Sequence, residues 1–172
     1  MRVYKTNFKG LIVVNGLKYV DQRGYFREVL RENIIKKKFC FQILSYSKKN
    51  VIRGLHFQTK KPQGKYVSVI KGKILDVCVD LRKNSKTFGK YFKIILSEKN
   101  CKSIYIPAGF AHGFRSLDYN NIVVYSCTNY RYKKKESGII WNDKDLNINW
   151  GTKTPIVSKK DKKNQTFKNF YK

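Results

Sequence analysis

At 172 residues the chain fits one domain, 1–172, and is long enough to bury a proper core. Apolar residues make up 41% and aromatics 15%, which excludes a disordered chain in spite of the charge. The net charge of +27 is spread over short clusters at expected turns, Lys36–Lys38, Lys48-Lys49, Lys60-Lys61, Lys133–Lys135 and Lys159–Lys163, with no single stripe, so it reads as solvated loops and argues against a nucleic-acid partner.

Short strand-like runs follow one another, separated by turn residues. Residues 11–14, 25–30, 39–47, 51–57 and 66–70 come first, then 74–81, 91–96, 103–106 and 122–127. Lys71-Gly72-Lys73 reads as a tight hairpin turn between two of them. In the run that follows, Ile74, Asp76, Cys78 and Asp80 share one face and Leu75, Val77, Val79 and Leu81 the other. A strand with carboxylates on one side and an apolar opposite face suits the wall of a polar cavity. The one helix-like segment is Arg27 to Lys38, with Phe26 to Leu30 competing as a strand. Many short strands and little helical periodicity predict an all-β sandwich or barrel of the jelly-roll kind with a few short helical segments. The tail from about Thr152 is Lys-rich, yet its Phe167, Phe170 and Tyr171 are expected to pack back on the domain.

Cys40, Cys78, Cys101 and Cys127 lie far apart without a C-x-x-C pair, and read as reduced thiols of a cytoplasmic protein. No stretch approaches the roughly 20 apolar residues that span a bilayer, so no membrane association is expected.

The chemistry-bearing residues are few. Only two histidines occur, His56 in Arg53-Gly54-Leu55-His56-Phe57-Gln58 and His112 in Ile106-Pro107-Ala108-Gly109-Phe110-Ala111-His112-Gly113-Phe114. A lone histidine in an apolar strand is more often a hydrogen-bonded core residue than a catalyst. Arg53, three residues away, and Lys65 in Gln63-Gly64-Lys65 shift that balance for His56. A metal is not expected, since a jelly-roll site wants His-x-His and a third ligand. G-x-S-x-G and glycine-rich phosphate loops are missing as well.

Taken together, the motifs resemble those of the dTDP-4-dehydrorhamnose 3,5-epimerase family. The likeness runs through Asp21-Gln22-Arg23-Gly24-Tyr25-Phe26-Arg27-Glu28, the two histidine motifs, Gln63-Gly64-Lys65 and Asp76-Val77-Cys78-Val79-Asp80-Leu81-Arg82. It continues with Ser85 to Gly89, Val124-Tyr125-Ser126-Cys127-Thr128, Trp141-Asn142-Asp143 and Ser158-Lys159-Lys160-Asp161. The resemblance implies a metal-free cupin that needs no cofactor and acts on a nucleotide-diphosphate keto sugar. By resemblance His56 is the base and Asp161 the carboxylate that orients it. Lys65 steadies the enolate oxygen, and Tyr125 returns a proton from the opposite face. Asp76 is expected to support Lys65 and His56. Arg23, Phe26 and Glu28 match the segment that reaches the nucleotide and diphosphate, typically from the neighbouring subunit of a homodimer with exchanged N-terminal strands. Arg53 and His112 match positions near the sugar and its phosphates.

Two departures stand out. Phe41 and Ile43 occupy positions where the family carries Gln and Asn. Arg131 replaces an aromatic six residues beyond Tyr125, although Tyr130 and Tyr132 flank it, and is itself counted among the substrate-binding candidates. The resemblance therefore implies 3,5-epimerisation of a nucleotide-linked 4-keto-6-deoxy sugar, with an epimerase acting at carbon 3 alone as the alternative. A 3,4-ketoisomerase or a non-catalytic sugar-binding cupin fits less well.

Overall fold

A computed structural model describes residues 1–172. The first seven strands are β1 (Arg2–Lys5), β2 (Ile12–Asn15), β3 (Lys18–Asp21), β4 (Gly24–Arg27), β5 (Phe41–Lys48), β6 (Val51–Gln58) and β7 (Lys65–Lys71). The others are β8 (Lys73–Asp80), β9 (Tyr91–Ser97), β10 (Lys102–Ile106), β11 (Phe110–Ser116), β12 (Asn120–Cys127), β13 (Glu136–Gly138) and β14 (Ile156–Val157). Two short helices, α1 (Glu32–Ile35) and α2 (Phe167–Tyr171), complete the fold. One sheet runs β1-β2-β10-β7-β12-β5; the second runs β13-β6-β11-β8-β9, with β14 also on β6; β3 and β4 form a separate hairpin.

The alternation along the strands explains the layers. Val67 and Val69 of β7, Ile104 of β10 and Val123 of β12 meet Ile74 and Cys78 of β8 and Phe114 of β11 in one core between the sheets. This is a jelly-roll sandwich. Val77, Val79 and Leu81 point the other way and are buried by Ile139, Leu146, Trp150 and Phe167 from the C-terminal segment. The second sheet is thus covered on both faces, as the two-sided pattern of residues 74–81 requires. Phe167 is buried, and Phe170 stacks edge-on against Phe57, so the tail packs back as expected. All four cysteines are unpaired. No helix is long and apolar enough to cross a membrane.

Two expectations are corrected. Lys71-Gly72-Lys73 does not close a hairpin, because β7 and β8 lie in different sheets. Residues on both strands face the same interior from opposite sides, so the chain has to turn over the edge of the sandwich. Gly72 makes that corner with φ +81°, and a Cβ there would lie 2.3 Å from the Asn120 carbonyl oxygen. The helix expected from Arg27 to Lys38 shrinks to the single turn α1, with Gly24–Arg27 taken by β4. Tertiary packing decides here: Leu30, Ile34, Ile35 and Phe39 all press on Tyr66 and Tyr105 at the outer face of the first sheet.

Asp80, at the end of β8, ties the loops together. Its carboxylate accepts from the Arg82 backbone N–H at 3.0 Å, Arg82 Nε at 2.8 Å and Nη2 at 2.7 Å, and from Ser85 Oγ and Thr87 Oγ1, both at 2.6 Å. Burial pushes this carboxyl up, but the bonds from Arg82, Ser85 and Thr87 outweigh it and hold it at about 2, against an ordinary 3.8. A depressed carboxyl stabilises the fold above its unfolded value and loses that contribution as pH falls through its folded value. Asp80→Asn is expected to cost about 2 kcal/mol near neutral pH. In denaturant unfolding, the gap from wild type should close between about pH 4 and about pH 2.

Candidate active site

A cavity of about 680 Å³ opens between the sheets. From the second sheet it receives His56 of β6 and His112 of β11, which are direct cross-strand partners and so face the same way. The two strands come close at Gly54, where φ is +129° and a Cβ would sit 2.5 Å from Gly113 Cα. From the first sheet it receives Lys65 of β7 and Tyr125 of β12.

Each histidine is bonded to a carboxylate. His56 Nε2 lies 2.7 Å from Asp161 Oδ1, and the Gly54 N–H donates to Asp161 Oδ2 at 3.2 Å. Burial pushes the Asp161 carboxyl up, but His56, the Gly54 N–H and Lys160 together hold it below the usual carboxylate value. An ionised carboxylate only accepts, so His56 donates through Nε2 and keeps the lone pair on Nδ1. That leaves a half-exposed imidazole able to take a proton at Nδ1, with a buried acid fixing its orientation. His112 Nε2 lies 2.8 Å from Asp76 Oδ2, and both side chains are buried.

Across the cavity, Tyr125 packs its ring on His112 and Phe114, with centroids at 6.0 and 6.5 Å. Its hydroxyl lies 3.2 Å from Ser45 Oγ. Burial pushes the phenol well up, against smaller opposite pulls from Ser45 and Arg53, so it stays protonated and serves as a donor. Lys65 forms no ion pair; burial pushes its ammonium down, and the charges of Asp76 and Glu136 oppose that only in part. A base on one sheet, with an acid and an unpaired cation on the other, can move a proton from one face of a bound molecule to the other.

The family profile described as dTDP-4-dehydrorhamnose 3,5-epimerase matches residues 5–169. The chain belongs to that family. The enzyme of this name from Methanothermobacter thermautotrophicus is 44% identical over 169 residues, covering 94% of this chain and 91% of the relative. The crystal structure of the Bacillus anthracis dTDP-4-dehydrorhamnose 3,5-epimerase, with TDP and PPi bound, superposes with a TM-score of 0.92. It is 38% identical, covering 96% of this chain and 99% of that one. The dTDP-6-deoxy-D-glucose-3,5-epimerase of Legionella pneumophila, solved with dTDP-4-keto-L-rhamnose, gives a TM-score of 0.91 at 35% identity over 96% and 92% of the two chains. By class, a member of this epimerase family is an isomerase.

Of the residues expected at the site, His56, Lys65, Tyr125 and Asp161 converge on the cavity, and Arg53, His112 and Arg131 line it too. Asp76 is hydrogen-bonded to His112, because it pairs with Phe114 in the β8–β11 register and its carboxylate reaches the histidine of that strand. Its charge also favours the Lys65 ammonium, as expected, but it makes no bond to His56. Arg23, Phe26 and Glu28 are outside the cavity, on or just beyond the exposed β3–β4 hairpin, where Arg23 pairs with Asp21 and Glu28 with Arg31. Tyr130 and Tyr132 do not restore the missing aromatic: Tyr130 stacks on Phe41 at 5.7 Å, and neither lines the cavity. Ser45, Glu136 and Lys160 line it without having been anticipated. Ser45 carried a signal, since it alternates with Phe41 and Ile43 on one strand face, and so did Lys160, which directly precedes Asp161 in its motif; Glu136 carried none.

A lysine whose value is lowered by folding costs stability while charged, and the cost disappears as pH rises through its folded value. Lys65→Met is therefore expected to melt above wild type near neutral pH, with the gap closing as pH approaches 10.5, the ordinary lysine value. A lower melting point at neutral pH would show instead that the site compensates the charge.

Proposed function

We propose that the protein epimerises a dTDP-linked 4-keto-6-deoxy sugar at the carbons on either side of the ketone, the reaction for which its relatives are named. The observation that carries this reading is the placement of the His56–Asp161 pair on one sheet and Tyr125 on the other, with the unpaired Lys65 beside them. The ketone acidifies each neighbouring C–H. His56 Nδ1 takes the proton, and the electron pair moves onto the carbonyl oxygen, where the Lys65 ammonium stabilises the enolate. Tyr125 gives its phenolic proton to the carbon from the opposite face, and the ketone reforms with that centre inverted. Proton exchange with solvent then resets both groups, and the cycle repeats at the second carbon. Every step is a proton transfer, so no electrons are gained or lost. Asp161 keeps His56 in the required tautomer, and Asp76 holds His112 against the Tyr125 ring.

Arg53 and His112 take the sugar and phosphate end. Arg23, Phe26 and Glu28 complete the site of a second copy in a homodimer that exchanges its N-terminal strands. The exposure of Tyr19, Val20, Tyr25 and Phe26 on the β3–β4 hairpin supports this reading, since such an apolar pair of strands is costly to leave in water. The activity belongs to one domain spanning 1–172, working in the cytoplasm.

Proton NMR of dTDP-4-keto-6-deoxyglucose in deuterium oxide tests the chemistry. The wild-type protein should erase both the carbon 3 and carbon 5 signals, and His56→Gln should erase neither at a comparable rate. Loss of the carbon 3 signal alone would restrict the reaction to that carbon, and near wild-type exchange by His56→Gln would refute the base assignment.

Mixing tests the shared site. Arg23→Ala and His56→Ala should each be defective as homodimers. After subunit exchange, one site of each heterodimer carries neither change, so the mixture should recover up to about a quarter of wild-type activity, one site in two on half of the dimers. No recovery despite exchange would show that Arg23 serves its own chain.

A further inference from the structure

The β3–β4 hairpin stands out from the domain with little to hold it. Of the residues in its two strands only Arg27, the last of β4, is partly buried; the rest are exposed. Most of its contacts tie it to itself: β3 pairs with β4, Tyr19 stacks on Phe26 at 6.5 Å, and Arg23 Nη2 donates to Asp21 at 2.7 Å. One hydrogen bond joins the two strands to the body. Arg27 Nη2 donates to the Val69 carbonyl, 42 positions away, at 2.9 Å.

Strand and sheet both prepare this contact. Successive side chains of a strand point to opposite faces, so Arg27 turns toward the domain where Phe26, 67% exposed, turns away. Val69 lies in β7, whose ladder with β10 ends at the Ser68–Ser103 pair. The next amide along β10, the Lys102 N–H, donates to Asn100 Oδ1 at 3.0 Å instead. The Val69 carbonyl is thereby left for another donor, and the guanidinium takes it up.

We propose that Arg27 is a positioning residue, the latch that sets the angle at which the hairpin carries Arg23, Phe26 and Glu28 into the site of the second copy. The proposal rests on the shared-site reading above and names what holds the arm. The latch adds little to stability by itself, since a cation loses water for one hydrogen bond and Nη1 is buried with no partner. What it supplies is direction. Phe26 and Glu28 flank Arg27 in the chain, so fixing its side chain on β7 orients both. Without it the hairpin hangs from its two ends, and only a fraction of its orientations meets the neighbouring site. Apparent affinity falls by that fraction.

Arg27→Met keeps an unbranched apolar stem and removes the donors. KM for the keto sugar is expected to rise about tenfold while kcat stays near wild type, the size of one charge-assisted hydrogen bond lost from the competent state. Subunit mixing separates a latch from a residue that only supports its own domain. At low substrate, an equal mixture of Arg27→Met and His56→Ala should recover toward about a quarter of wild-type activity, because one site per heterodimer has an intact body and an intact arm. Arg27→Met mixed with Arg23→Ala should recover nothing, since both changes spoil arms. A residue that serves its own chain gives the opposite pair of results, which would overturn the proposal. So would an unchanged KM, or hydrogen–deuterium exchange across residues 18–27 of the ligand-free protein that Arg27→Met does not speed up. Circular dichroism and the melting point establish that the variant is folded; should it fail to fold, Arg27→Gln carries the same predictions. If Arg23→Ala and His56→Ala do not complement each other, the shared site itself falls, and the latch with it.

Discussion

The site depends on one bond, between His56 in the middle of the second sheet and Asp161 in the last segment of the chain, 105 positions away. Asp161 belongs to no long element that would hold it in place. The segment is fixed by small devices acting together: two residues of β14 lie parallel to β6, Gln165 bridges to Ile139, and Asp143 accepts the Phe167 N–H at 2.8 Å. Phe167 and its neighbours then close the outer face of the sheet. Burying a carboxylate without a partner costs several kcal/mol, so docking of this segment and pairing of Asp161 with His56 stand or fall together. Tail docking completes the His56–Asp161 pair.

The sandwich architecture answers a second demand, that acid and base approach a substrate from opposite faces. Strands of one sheet can carry neighbouring groups, as His56 and His112 show, but they place them on the same side. In the proposed reaction inversion needs a donor from across the gap, and Tyr125 stands on the other sheet. The gap must stay open, which leaves Lys65 without a direct ion pair, only partly offset by the more distant charges of Asp76 and Glu136. That is poor packing by the standards of a stable core, yet an ammonium already paired would have little left to offer a developing enolate oxygen. Stability and function pull apart at this one side chain.

How much of this was legible in the sequence follows from the range of the interactions. The period-two pattern of residues 74–81 announced both faces of β8, because each face packs on its own core. β11 escaped notice as a strand: Gly109, His112 and Gly113 break any hydrophobic alternation, and only pairing with β6 on one side and β8 on the other makes it extended. The turn at Gly72 looked local but reports a change of sheet, which no short window contains. Asp161 and Tyr125 were singled out by motif resemblance, since spacing alone cannot bring position 161 to position 56. The bond from Asp76 to His112 needed the register between β8 and β11, and Glu136 emerges only when two loops are placed around β13.

Along β5, Phe41 turns to stack on Tyr130 and Ile43 lines the cavity, so that part of the wall offers apolar contact. Ser45, next on the same face, is committed to the Tyr125 hydroxyl. The charged groups of the cavity lie elsewhere, Arg53 beside β5 and Arg131 with Lys160 at the rim. Arg53 is itself anchored, through Nε to Ser47 Oγ at 2.9 Å and Nη2 to the Tyr46 carbonyl at 2.8 Å. A guanidinium so held is already ordered when an anion arrives, as is Arg131 with Nε and Nη2 on Glu136. The two arginines that line the cavity thus share one arrangement, an edge spent on the protein so that the remaining donors stand ready.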